Sequence, residues 1–415
     1  MFEAGAAVID ITPPVGLAMA GYAARTEPAI GTHDNLTVRA LAIDDTAIVV
    51  ADVLGFDEAM SARIRARCVL PDDRVIVAAV HNHGGPASIE GRAGRGTNAA
   101  YLQRLEDAAV AAIDTAVAAQ RPATLTIGNG HDPDVARNRR HENGILDRAL
   151  PVLRVTGEDG TMIAVLTSYA CHPVVLGADN RLWTADYPHY VRQRLEAEYP
   201  GAVALFLTGC AGDASTGHSP QDSISLAPNA ARTFATAERL GGAVAAAALA
   251  APEASLGSGV GAATAEIALA FERLETTPLP QLAGEWRAEK AHSDAARAAL
   301  LGYWIDWAET TALKPLQPRP ARVSVLHWGD LPIVALPGEI FAETALTIRQ
   351  SIGDRPAFVI AYAEGLPGYI PPASEYRFGG YEVAEAHRFV GMPATFASGS
   401  AEALADLAIA LLGKA

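Results

Sequence analysis

The stretch Arg74-Val-Ile-Val-Ala-Ala-Val-His81-Asn-His83-Gly-Gly-Pro86 decides how the rest of the chain is read. Val75 to Val80 is an unbroken apolar run of the length of a strand buried on both faces. Gly84-Gly85-Pro86 then stops it, because neither doubled glycine nor proline suits a strand interior. Side chains two apart on an extended backbone share a side, so His81 and His83 are expected to face one way at a strand exit. A pair of imidazoles so placed suits a catalytic metal. The plain alternative is two surface histidines at the start of a loop.

Four other apolar runs end in the same manner. Met162 to Tyr169 leads into Cys171-His172-Pro173, and Ala202 to Thr208 leads into Gly212-Asp213-Ala214-Ser215. Leu331 to Leu336 leads into Pro337-Gly338-Glu339, and Ala357 to Tyr362 leads on to Gly368-Tyr369. In open α/β sheets ligands bind beyond the carboxyl ends of strands, where loops from separated strands converge. The expected fold is therefore mixed α/β: a large central mixed β-sheet with flanking helices, one domain over 1–415. Helices are expected at Asp57 to Arg67, Asn98 to Ala119, Asp186 to Tyr199, Thr233 to Ala251 and Glu402 to Leu412. Residues 281–313, with Trp286, Trp304 and Trp307, read as a helical pair inserted as a cap. A glycine-rich loop is expected between Gly84 and Gly96. The polar stretch Arg137-Asn-Arg-Arg-His141 reads as a solvated loop or as a clamp entering a pocket.

Composition narrows the partners. A formal charge of −15, with lysines only at 290, 314 and 414, disfavours nucleic acid and anionic membrane surfaces. No basic and apolar leader opens the sequence and no run is long enough to span a bilayer. Three cysteines, Cys68, Cys171 and Cys210, make no paired framework, which points to a reducing cytoplasm. A small-molecule substrate is expected, and the oligomeric state is left open.

The ordered set Val8-Ile-Asp-Ile-Thr-Pro-Pro-Val-Gly16, Met19-Ala-Gly-Tyr22, His81-Asn-His83-Gly-Gly-Pro86, Asn138-Arg139, Cys171-His172-Pro173, Gly212-Asp-Ala-Ser215, Pro337-Gly-Glu339 and Gly368-Tyr369-Ile370 resembles the N-terminal catalytic domain of neutral/alkaline ceramidases. The resemblance implies one Zn²⁺ held by His81, His172, Glu339 and Tyr369. It implies that His83, Arg139, Ser215 and Tyr381 contact the reacting amide. Two histidines and a carboxylate around zinc would activate water for attack on a carbonyl. His83 would then shuttle a proton. Arg139 and Tyr381 would hold an oxyanion or a substrate carboxylate, and Ser215 would serve as a hydrogen-bonding group. The family's further β-sandwich domain is not expected within these 415 residues, and the expected substrate is a small or medium-sized soluble amide. An esterase or lactonase on the same zinc site, and a catalytically silent metal-binding protein, are the alternatives.

Overall fold

The structure is a computed structural model that describes residues 1–92 and 96–415. Part of the glycine-rich loop expected before Gly96, residues 93–95, lies outside the described residues. The large sheet contains β1 (Phe2–Asp10), β2 (Thr37–Ile43), β3 (Thr46–Ala51), β4 (Val75–Ala79), β5 (Arg121–Gly130), β6 (Leu150–Gly157), β7 (Met162–Tyr169) and β8 (Val203–Thr208). Their order is β8-β7-β6-β5-β1-β2-β3-β4, with the short strand Ala254–Ser255 added on β5. The β3–β4 and β7–β8 pairs are parallel and the others antiparallel, so the sheet is mixed, as expected. A second sheet runs β9 (Val260–Leu269), β10 (Arg319–Trp328), β11 (Leu331–Ala335), β12 (Phe358–Ile360).

The helices are α1 (Glu58–Arg67), α2 (Ala99–Ala118), α3 (Tyr187–Glu198), α4 (Phe234–Leu249), α5 (Leu279–Lys290), α6 (Ala295–Glu309), α7 (Ala342–Ile352) and α8 (Ser400–Leu412). α1 and α3 form the crossovers of the two parallel pairs, a connection that parallel strands require. α1 begins where Asp57 accepts the Met60 amide at 2.6 Å and ends with Arg65 and Arg67 in its last turn, both favourable to the helix dipole. α2 packs across β1, β2 and β3 through Leu105, Ala109, Ala112 and Ile113. It sits so close that a Cβ on Gly5 would stand 2.2 Å from the Ala116 carbonyl oxygen. α8 covers β9 and β10. The pair α5–α6 builds a small core of its own around Trp286, Trp304 and Trp307, and Phe389 packs into it.

What positions the site is the fate of the two edges. β4 and β8 end the large sheet and would leave unpaired backbone groups. The chain leaving β12 ties both. Ala361 donates to the Thr208 carbonyl at 3.2 Å, Ala79 donates to the Tyr362 carbonyl at 3.0 Å, and Glu364 donates to the Val77 carbonyl at 2.8 Å. The Thr208 hydroxyl reaches the Val80 carbonyl at 2.6 Å, directly across the gap. Tyr362 and Glu364 take φ of 56° and 59° to make this alternation. The carboxyl ends of β4, β8 and β12 are thereby drawn to one point.

Candidate metal centre and cleft

His81 leaves β4 with φ of 67°, so the extended backbone expected through His83 is broken at its first histidine. The two rings still reach one site, by a left-handed turn rather than by strand alternation. His81 Nε2 and His83 Nε2 are 3.4 Å apart. His172, fully buried beyond β7, places its Nε2 3.1 Å from Glu339 Oε2, and His81 Nε2 lies 3.4 Å from the same oxygen. The His81 Nδ1–H donates to the Leu54 carbonyl at 2.7 Å, and His172 Nδ1–H donates to the Ala211 carbonyl at 2.5 Å. Those bonds fix the tautomer that aims each Nε2 lone pair inward.

The spacings test the fit of a metal. Ligand bonds of roughly 2.0–2.1 Å in a tetrahedron put ligand atoms roughly 3.3–3.4 Å apart. The observed 3.1, 3.4 and 3.4 Å among His81, His83, His172 and Glu339 match that edge. His81, His83 and His172 are buried or half-buried with their imidazole nitrogens within mutual ligand range, so the three together could hold a metal ion.

Electrostatics agree with the donor set. Burial, followed by the Arg139 charge, lowers the His172 imidazole to about 4. Burial and the neighbouring His81 and His172 push His83 well below its ordinary value. Burial alone would raise Glu339, but His81 and His172 override it and hold its carboxyl well below the usual range. Neutral imidazoles and an ionised carboxylate are the forms that bind a cation.

Tyr369 and Glu339 are register partners on two short parallel strands, Glu339–Ile340 and Tyr369–Ile370. The Tyr369 hydroxyl accepts a bond from Arg139 Nη2 at 2.7 Å, and burial drives its pKa well up. Arg139 also donates to Glu382 Oε1 and to the Gly212 carbonyl, each at 2.9 Å. Only 7% of its side chain is exposed, as for Arg140, which pairs with Glu375 and Glu382. Of the two readings of 137–141, the solvated loop fails for these two arginines: the carboxylates that bury them come from far along the chain, beyond local pattern. Asn138 donates to Asp213 Oδ2 at 3.0 Å, while Asp213 Oδ1 accepts the Ala342 amide at 2.9 Å.

Ser215 is fully buried and its hydroxyl donates to the His218 carbonyl at 2.7 Å. It is not among the side chains lining the cleft, whereas His218 is. Tyr381 lines the cleft and meets the Tyr369 ring edge-on at 5.8 Å. The cleft encloses about 1080 Å³ including its open mouth. Its floor carries His81, His83, Glu339, Tyr369 and Arg139, and its walls carry Leu54, Ile89, Phe389 and Val390. Sequence reasoning passed over Arg92, Arg232 and Tyr362. Arg92 and Arg232 also line the cleft, and Tyr362 stacks on His81 with ring centres 4.2 Å apart. Nothing local marks the two arginines, whereas Tyr362 stood at an expected strand end.

Residues 2–221 match the family model described as neutral/alkaline non-lysosomal ceramidase, N-terminal. The fold is similar to the crystal structure of neutral ceramidase from Pseudomonas aeruginosa, with a TM-score of 0.74, 18% identity, and coverage of 99% of this chain and 74% of that one. A ceramidase complexed with C2 is similar to the same degree, with a TM-score of 0.75, 17% identity and coverage of 99% and 74%.

Proposed function

Because this chain belongs to the neutral/alkaline non-lysosomal ceramidase family and is a hydrolase on that ground, we propose that it is zinc-dependent and cleaves an amide bond of a small or medium-sized substrate. One observation carries the reading: two imidazoles with carbonyl-fixed Nδ1 atoms turn their Nε2 atoms to a shared carboxylate at tetrahedral spacing. His81, His172 and Glu339 would hold the ion. Tyr369, register partner of Glu339 and gripped by Arg139, would complete the set. A zinc ion so held supplies Lewis acidity and an acidified water, whose pKa falls to roughly 7 in such sites.

The chain's own groups do the rest. A resident ligand histidine is normally fixed through its other nitrogen. His83 Nδ1 is buried and has no partner among the described residues, unlike its two neighbours. That difference supports a proton-transfer role for His83, in which its neutral imidazole accepts a proton from the attacking water and returns it to the leaving nitrogen. Arg139 and Tyr381 face the same cleft, where hydrogen bonds to a developing oxyanion strengthen as charge forms. Ser215 supports the wall from behind through His218. The three free cysteines fit a reducing compartment and support cytoplasmic residence. Among the described residues no helix is long and apolar enough to cross a membrane.

The test is elemental analysis of active protein followed by a panel of soluble amides, esters, lactones and short-chain ceramide. Stoichiometric zinc and highest kcat/KM on a soluble amide are expected. Active protein without a stoichiometric transition metal would end the zinc reading. Faster cleavage of ceramide, or of esters and lactones, would replace the substrate class.

A further inference from the structure

Three arginines line the cleft, and two of them are bonded to protein groups. Arg232 donates to the Tyr22 hydroxyl and the Val174 carbonyl at 2.9 Å, and to the Val175 and Leu176 carbonyls at 3.2 and 3.1 Å. Arg139 is bonded to Glu382, Gly212 and Tyr369. Arg92 is different. Its Nε is buried without an acceptor, and among the described residues its guanidinium makes no hydrogen bond or ion pair. Glu339 and Glu58 are the carboxylates whose charge bears most on it. Both are engaged elsewhere: Glu339 by His81 and His172, Glu58 by Arg319 at 2.6 and 3.0 Å.

A buried cation donor without an acceptor is costly unless a ligand supplies one. The chain's net charge of −15 gives no general attraction for anions, so an uncommitted guanidinium inside the cleft is a local exception. One planar fork matches one carboxylate through two parallel bonds. A phosphate dianion would call for a second free cation, whereas Arg232 is bonded to Tyr22 and to backbone carbonyls and Arg139 is paired with Glu382. Leu54, Ile89 and Phe389 line the same cleft with apolar surface.

We propose that Arg92 recognises a carboxylate on the substrate, so that this site prefers amides joining an apolar acyl chain to an acidic amine part, as in an N-acyl amino acid. The inference rests on the amide-hydrolase reading above. The zinc-loaded protein is assayed on dodecanoylglycine and on its neutral primary amide, with R92Q and R92K beside wild type. Binding of the ketone analogue of each, in which a methylene replaces the scissile NH, is measured by calorimetry. Wild type should prefer the acid by roughly ten- to a hundredfold in kcat/KM, the range of one charge-assisted bond pair. R92Q should erase that preference by slowing the acid alone, with zinc content unchanged, and R92K should keep part of it. Equal use of acid and neutral amide by wild type, or equal slowing of both by R92Q, would overturn the proposal. If the acidic ketone binds through Arg92 but no amide is cleaved, Arg92 keeps its role and the amidase reading falls.

Discussion

One hydrogen bond separates His81 from His83. The first has its Nδ1 fixed by Leu54, the second has a bare Nδ1, and the proposed division between ligand and proton carrier follows from that contrast. His172→Ala and Glu339→Ala should each lose metal and activity together, read by elemental analysis beside turnover. His83→Ala should keep the metal and lose about 10²–10⁴-fold in kcat, the usual worth of proton transfer. Loss of metal from His83→Ala with retention in His81→Ala would reverse the two roles. Gly21 gives an independent handle on the same ring. With φ of 96° it leaves room for His83, and a Cβ there would stand 2.4 Å from the imidazole. Gly21→Ala should lower kcat with the metal retained, because it displaces His83 and not the ligands. Histidines at strand exits announced this centre in the sequence. Tyr22, packed against His83 at 4.8 Å, and the uncommitted Arg92 carried no such signal, since their partners or lack of partners are set by distant chain.

At the scale of elements, the seam between β4 and β8 makes the centre possible, and Glu364 anchors it. Its carboxylate is fully buried, bonds Arg65 on α1, and stands 3.6 Å from Arg322 on β10. Removing one partner of a buried pair leaves the other charge uncompensated, commonly at a cost of roughly 3–5 kcal/mol. Glu364→Ala should lower the denaturant midpoint accordingly and weaken metal affinity, since β4 carries His81 into the site. Unchanged metal affinity in a destabilised protein would show that the seam and the centre are independent. The seam was invisible in the sequence, although most of its components were not. The strands at Val75–Ala79 and Met162–Tyr169 and the helices around 58–67, 99–118 and 187–198 were legible because apolar spacing and turn residues agreed. Three of the longer strands were missed. β6 carries Pro151 and a buried Arg154 that donates to the Ala248 carbonyl, so it breaks the apolar run. β9, Val-Gly-Ala-Ala-Thr-Ala-Glu-Ile-Ala-Leu, is rich in helix formers and half-exposed, and pairing with β10 overrides propensity. β10 itself opens Arg319-Pro320-Ala321-Arg322, which reads as a loop.

Across the whole molecule, buried acids set a pH dependence of stability that one substitution isolates. Burial pushes the Asp34 carboxyl up to about 7, although the Ala185 amide and Thr184 bond to it. Among the described residues its second oxygen, Oδ2, receives no hydrogen-bond donor. A carboxyl whose folded pKa is raised stabilises the fold fully below its unfolded value, roughly 4, and that contribution is lost as pH rises through the folded value. Asp186 and Asp213, each pushed up to about 6 by burial, act in the same sense. His172 and His189, lowered to about 4 by burial, act in the opposite sense, because the unfolded chain binds their protons more tightly. The wild-type curve is therefore a composite. Asp34→Asn removes one term from it, since an amide mimics the protonated acid: its oxygen accepts from Ala185 and its nitrogen donates toward Thr184. The Tm of the variant minus that of wild type should grow from about pH 4 upward and level off above about pH 7. Thermal melts of both proteins across that window, in one buffer series of constant ionic strength, measure it. A constant difference would mean that Asp34 ionises in the fold as freely as in the unfolded chain. A difference growing toward acid would mean that its carboxylate is stabilised by cations, with His189, whose Nδ1 stands 3.6 Å from Asp34 Oδ1, and Arg192 as the candidates.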